Sequence, residues 1–114
     1  SGLGEAKFDF IATNPPYKLA LKFLQRSLRL LEGHGILIFL TRLGFLASQS
    51  RYSFYKNRPP AEVWVLSKRP SFTGGGTDAQ EYCFAVWRGD SMRRFDANAD
   101  EDAPRLYWLN NKNL

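Results

Sequence analysis

Cysteine, methionine and histidine each occur once in the 114 residues. A single cysteine, Cys83, excludes an internal disulfide and argues for a reducing compartment, so a cytoplasmic location is expected. The lone histidine sits in Gly33-His34-Gly35, which reads as a helix stop and turn rather than a ligand set, and no metal site is expected. No apolar run approaches the roughly 20 residues that a membrane-spanning helix needs, and no signal-peptide pattern opens the chain. Position 1 is Ser1, followed by Gly2, with no initiator methionine, so a piece of a longer protein is expected. The length allows one domain, and a full catalytic domain is usually longer.

What the chain does hold is apolar and aromatic: 44% hydrophobic residues, with nine Phe, five Tyr and three Trp. A packed core follows. The net charge of +5 is unevenly spread. Lys18, Lys22, Arg26, Arg29, Arg42, Arg51, Lys56, Arg58, Lys68 and Arg69 are opposed over residues 14–69 only by Glu32 and Glu62. Residues 89–104 reverse the sign, with five acids against Arg93 and Arg94. A basic body suits a polyanion such as nucleic acid, although wet helix faces carry the same charges.

Phe8 to Thr13 reads as a buried strand, stopped by Asn14-Pro15-Pro16. Lys18 to Glu32 reads as an amphipathic helix, with Leu21, Leu24, Leu28 and Leu31 on one side and Lys18, Lys22, Arg26 and Arg29 on the other. Ile36 to Leu40 predicts a second strand. Phe45 to Asn57 predicts a second helix, with Leu46, Tyr52 and Tyr55 turned inward and Pro59-Pro60 ending it. Val63 to Leu66 and Tyr82 to Trp87 predict two further strands, and Arg105 to Leu109 an edge strand. Residues 68–80 form a flexible loop by composition, and 90–104 an acidic linker. Strands alternating with helices imply parallel βαβ units, whose ligands bind beyond the carboxyl ends of the strands. Asn14-Pro15-Pro16-Tyr17 stands at such an end.

Each proline fixes its own φ and keeps the preceding residue extended. The Asn14 side-chain oxygen and the residue 15 carbonyl are thereby two acceptors of restricted direction, suited to an –NH2 group with two protons to give. Tyr17 supplies a flat ring for a planar substrate. An aromatic amine is a poor nucleophile because its lone pair is delocalised. Holding both N–H bonds toward fixed acceptors favours a pyramidal nitrogen whose lone pair is free, a stabilisation realised mainly in the transition state.

The sequence N-P-P-Y after a strand and before an amphipathic helix resembles the catalytic motif of S-adenosylmethionine-dependent amino-methyltransferases. The wider run from Phe8 to Trp87, including G-I-L-I-F-L-T-R, V-W-V-L-S-K-R-P-S-F-T-G-G-G-T-D and Y-C-F-A-V-W, resembles phage-type adenine-specific (N6) DNA methyltransferases. The resemblance covers roughly residues 7 to 89. It implies a Rossmann-like three-layer α/β sandwich, present here as the C-terminal half of its sheet, over residues 1–89, with residues 105–114 an edge strand and tail. It implies that Asn14 and the Pro15 carbonyl bind the target amino group, that Pro16 rigidifies them, and that Tyr17 stacks on an extruded base. DNA is the partner it implies, and S-adenosylmethionine the cofactor.

In that family the cofactor site lies largely upstream of N-P-P-Y, where this sequence has thirteen residues. Ser1-Gly2-Leu3-Gly4 has no strand before it and is not read as a cofactor loop. S-F-T-G-G-G-T (71–77) superficially resembles the cofactor loop of permuted methyltransferases. The strand-like Tyr82–Trp87 that follows favours a substrate-side loop instead, in which Arg69, Thr73, Thr77 and Asp78 contact nucleic acid and Phe72 stacks or wedges. Lys18 and Arg42 are further substrate candidates. An ordinary glycine-rich hairpin loop accounts for residues 68–80 equally well. The strand at 8–13 is expected to expose an apolar edge that a second copy, a swapped strand or a missing N-terminal half would pair. The chain is therefore expected to be inactive alone. Competing readings are a methyltransferase of RNA or of protein glutamine, and a nucleic-acid-binding remnant or subunit that borrows a cofactor half.

Overall fold

The computed structural model describes residues 7–66, 81–90 and 104–110. Five strands form one sheet in the order β1-β2-β4-β3-β5, where β1 is Phe8–Thr13, β2 Leu31–Arg42, β3 Glu62–Leu66, β4 Tyr82–Arg88 and β5 Arg105–Leu109. β1 runs parallel to β2 and β3 parallel to β5, while β4 is antiparallel to both of its neighbours. The carboxyl ends of β1, β2, β3 and β5 therefore share one edge of the sheet with the amino end of β4. This is a partial Rossmann-like α/β fold, as the sequence implies. An all-parallel sheet is not what forms: β4 returns directly beside β3, with no described helix between them.

Registers sort the side chains into two faces. Leu37 and Phe39 of β2 and Ala85 and Trp87 of β4 point to one face, where they join Ala20, Leu24 and Phe45 in the core. The helices lie on that face. α1 (Ala20–Leu30) follows a 3-10 turn at Tyr17–Leu19 and buries Leu24 completely. Burying one leucine is worth about 2 kcal/mol, so this single side chain is a substantial part of what docks α1. The opposite face carries Ile38, Leu40, Phe84, Val86, Trp64 and Tyr107, and no described helix packs on it. There Trp64 and Tyr107 stack at 4.3 Å across β3 and β5. On the same face Glu62 accepts from Arg88 (2.8 Å) and from the Trp64 indole (3.0 Å), and these bonds hold its carboxyl below the usual range.

Three expectations are corrected. α1 ends at Leu30, and Leu31 is already extended (φ −85°, ψ 130°), so Gly33-His34-Gly35 lies inside β2 rather than in a turn. Gly35 provides space instead of a left-handed cap: a Cβ there would meet Leu31 Cδ1 at 2.7 Å and the Asp9 carbonyl oxygen at 3.0 Å. His34 reaches across to β1, with its Nε2 2.8 Å from Asp9 Oδ1. The second predicted helix is broken into 3-10 turns at Leu43–Ala47 and Gln49–Arg51 before α2 (Tyr52–Asn57). Ser48 interrupts it, extended and accepting from the Ser50 amide with its own hydroxyl. In consequence Phe45 is the fully buried residue of this segment, whereas Tyr52 points outward at 60% exposure. Arg105–Leu109 is an edge strand, as expected, whereas the strand at Phe8–Thr13, read as buried, is the other edge and buries none of its residues, with Phe8 and Phe10 exposed.

Candidate substrate site at the carboxyl edge of the sheet

Asn14 to Pro16 leave β1 at the carboxyl edge without regular secondary structure. Pro16 adopts polyproline geometry (φ −56°, ψ 140°), the extended conformation its ring favours. Its carbonyl accepts from the Leu19 amide at 3.0 Å, which closes the turn that starts α1. The Asn14 side chain is exposed and makes no hydrogen bond among the described residues. The motif thus presents a stiff, solvent-facing amide backed by a half-buried Pro15.

Tyr17 is held from several sides. Its ring meets Phe45 edge-on at 6.2 Å, and its hydroxyl accepts from Arg51 Nη2 at 3.1 Å. The guanidinium carbons of Arg42 and Arg51 stand 4.9 Å and 5.6 Å from its ring centroid. Arg42 ends β2 and so arrives at the same edge by strand register, as Thr13 of β1 pairs with Phe39 three residues earlier. Arg51 comes from the irregular segment and is pinned there: its Nε donates to the Phe45 carbonyl at 3.0 Å, and its guanidinium lies 4.5 Å from the Phe45 ring. Tyr55 donates to the same carbonyl at 2.6 Å. Burial pushes the Tyr55 hydroxyl up to about 12, with the Arg51 charge and hydrogen bond pulling the other way.

Of the sequence-predicted residues, the fold brings Asn14, Pro15, Pro16, Tyr17 and Arg42 together, with Lys18 exposed one position beyond Tyr17. Arg69, Phe72, Thr73, Thr77 and Asp78 lie outside the described residues. The flanking positions Leu66 and Glu81 end β3 and precede β4, at this same edge. Sequence reading missed Phe45 and Arg51 as part of the site. Thirty-four positions separate Arg51 from Tyr17, and no spacing rule links a 3-10 turn to a preceding strand end. Arrangements of this kind suit a planar ring with a nearby anion: an aromatic platform, two guanidiniums and an exposed amide.

The groups that would hold S-adenosylmethionine do not fit what is described here. A nucleotide-like cofactor calls for a glycine-rich turn between a strand and a helix. β1 passes into α1 through prolines, and α1 passes into β2 with no turn at all.

No protein-family model matches the chain, and no curated protein matches it. Among solved structures it is similar to the crystal structure of an M1.HpyAVI-SAM complex, at 18% identity and a TM-score of 0.49, over 93% of this chain and 60% of that one. A crystal structure of M1.HpyAVI is similar at 18% identity and a TM-score of 0.45, over 91% of this chain and 56% of that one. The chain therefore spans somewhat more than half the length of these structures.

Proposed function

We propose that this chain is the catalytic, substrate-holding portion of an S-adenosylmethionine-dependent DNA adenine-N6 methyltransferase, inactive without a separate cofactor site. The observation that carries the reading is an Asn14 amide with no hydrogen bond among the described residues, on a proline-stiffened turn at the carboxyl end of a parallel strand, next to a braced Tyr17. Asn14 and the Pro15 carbonyl accept the two protons of the adenine amino group and favour its pyramidal form. Tyr17 packs against the extruded base, and Arg42 with Arg51 balances nearby phosphate. S-adenosylmethionine supplies the methyl group from a site that the described residues do not build. No side chain is needed as a base before attack, because the nitrogen becomes acidic only once it is methylated.

The test is Asn14→Ala in a form of the protein that transfers methyl groups to DNA. Loss of transfer by about 100-fold or more, with the thermal transition unchanged, is expected from removing a transition-state contact. Retained transfer removes Asn14 from the chemistry. Substrate screening with DNA, RNA and glutamine-containing peptides separates adenine methylation from the two other amine substrates. A partner is part of the same reading: the open β1 edge at residues 8–13 is completed by a second copy of the chain or by a cofactor-bearing half.

A further inference from the structure

Cations form a second surface that the Asn14–Tyr17 edge does not use. Lys22, Arg26 and Arg29 follow one another at intervals of four and three residues, a spacing that keeps them on one side of α1, and Lys18 precedes them in the 3-10 turn that leads into it. At the far end of α1, near the amino ends of β1 and β2, an open groove is lined by Lys7, Lys22, Arg26, Arg29, Arg58 and Asp90. Its carboxylate, Asp90, is held by Arg58 at 2.6 Å, and Arg58 is fixed further by donating to the Arg88 carbonyl. Lys7 donates to the Arg29 carbonyl at the carboxyl end of α1, which suits the negative end of the helix dipole. Lys22 and Arg29 have no hydrogen bond or ion pair through their side chains among the described residues. Arg26 has a partner of its own and Arg58 is paired with Asp90, so Lys22 and Arg29 are the groove cations left without one among the described residues.

We propose that the α1 stripe and the groove at its foot bind the phosphate backbone of the DNA whose base enters the Asn14–Tyr17 edge. This inference rests on that reading of the edge. Continuity favours DNA over any other polyanion: Lys18 is the neighbour of Tyr17, and Lys22, four residues on, already lines the groove. At ~1.5 Å per helical residue, Lys18 to Arg29 spans about 16 Å. At ~3.4 Å of axis per phosphate that is roughly five phosphates of one strand. The backbone is thus followed away from the target base along the helix, on the face opposite the one α1 buries.

Binding of the full chain to a fluorescein-labelled DNA duplex, followed by anisotropy across a salt series without S-adenosylmethionine, tests this. The double variant Lys22→Gln/Arg29→Gln is expected to bind roughly tenfold more weakly near 0.1 M salt, with the slope of log K against log salt reduced by about 1.8 for two lost phosphate contacts. The charge-keeping pair Lys22→Arg/Arg29→Lys is expected to retain the wild-type slope. An unchanged slope in the Gln double variant overturns the proposal, as does loss of the slope in the charge-keeping pair, or a wild-type chain that fails to bind duplex at low salt. The Asn14 chemistry fails by a different readout, transfer that survives Asn14→Ala, so the two cannot be confused.

Discussion

At the residue scale the site is organised around one carbonyl. Phe45 buries its ring and offers its C=O to both Arg51 and Tyr55, and Arg51 passes the restraint on to the Tyr17 hydroxyl. Tyr17 is thereby positioned by a buried residue it meets only edge-on. Tyr55 gives this network a pH signature. Its folded pKa is raised by burial from 10.0 to about 12, so its contribution to stability is complete below pH 10 and is lost as pH rises toward 12. In that window the unfolded chain gives up the proton first, and stability falls with pH. Cys83, raised by burial to about 11, adds a fall that starts lower, from about pH 9. Urea midpoints for wild type and Tyr55→Phe between pH 8 and 12 separate the two. The variant is expected to be less stable at pH 8 and to converge on wild type above pH 10. Curves that stay parallel to pH 12 would remove Tyr55 from the base-induced loss.

At the scale of elements, two strand features carry consequences. Gly89 follows β4, donates its amide to the Gly35 carbonyl at 2.9 Å, and lies against the backbone of β2. A Cβ there would fall 2.1 Å from the Glu32 carbonyl oxygen and 2.5 Å from that of Gly33, with no flexible side chain to yield. Gly89→Ala is expected to cost about 1–3 kcal/mol, the usual scale of overpacking, read as a lower thermal midpoint. An unchanged midpoint would mean that the two strands separate without cost. β1 is the other feature. It exposes Phe8 and Phe10 on an edge that no described strand pairs, the kind of strand natural sheets blunt or cover. Concentration-dependent self-association by light scattering is the expected behaviour, reduced by Phe10→Lys. A wild-type chain that stays monomeric at high concentration would refute pairing through this edge. The elements also show what the sequence discloses and where it stops. β1 ends at Thr13 as read, because Asn-Pro-Pro leaves the chain no alternative. The β2 start was misplaced because Leu31 completes the helical leucine stripe and also fills the corner that opens the strand. That second role depends on the space left by Gly35 further along the same strand and on the Asp9 carbonyl across the sheet, which helical periodicity does not see. Arg51 was invisible as a site residue for the same reason.

For the whole molecule, the division of labour lies in the charge and in the sheet. The carboxyl edge holds the stiff amide and braced tyrosine, α1 carries cations away from it, and the opposite sheet face holds the Trp64–Tyr107 stack. On the proposed reading the chain holds a base and a backbone, but the described strand-to-helix connections offer no glycine-rich cradle for a nucleotide-like cofactor. A direct consequence concerns S-adenosylmethionine. A calorimetric titration of the 114-residue chain with this compound is expected to give no binding heat up to millimolar concentration, although the same chain binds duplex DNA in a salt-dependent way. That pair of results would match a substrate half that acts only when a cofactor half is supplied. Saturable heat would instead point to the glycine-rich stretch at 71–77 as the site, or to one formed between two copies. Repeating the titration across protein concentrations decides between those two, because a site shared by copies weakens on dilution and a site within one chain does not.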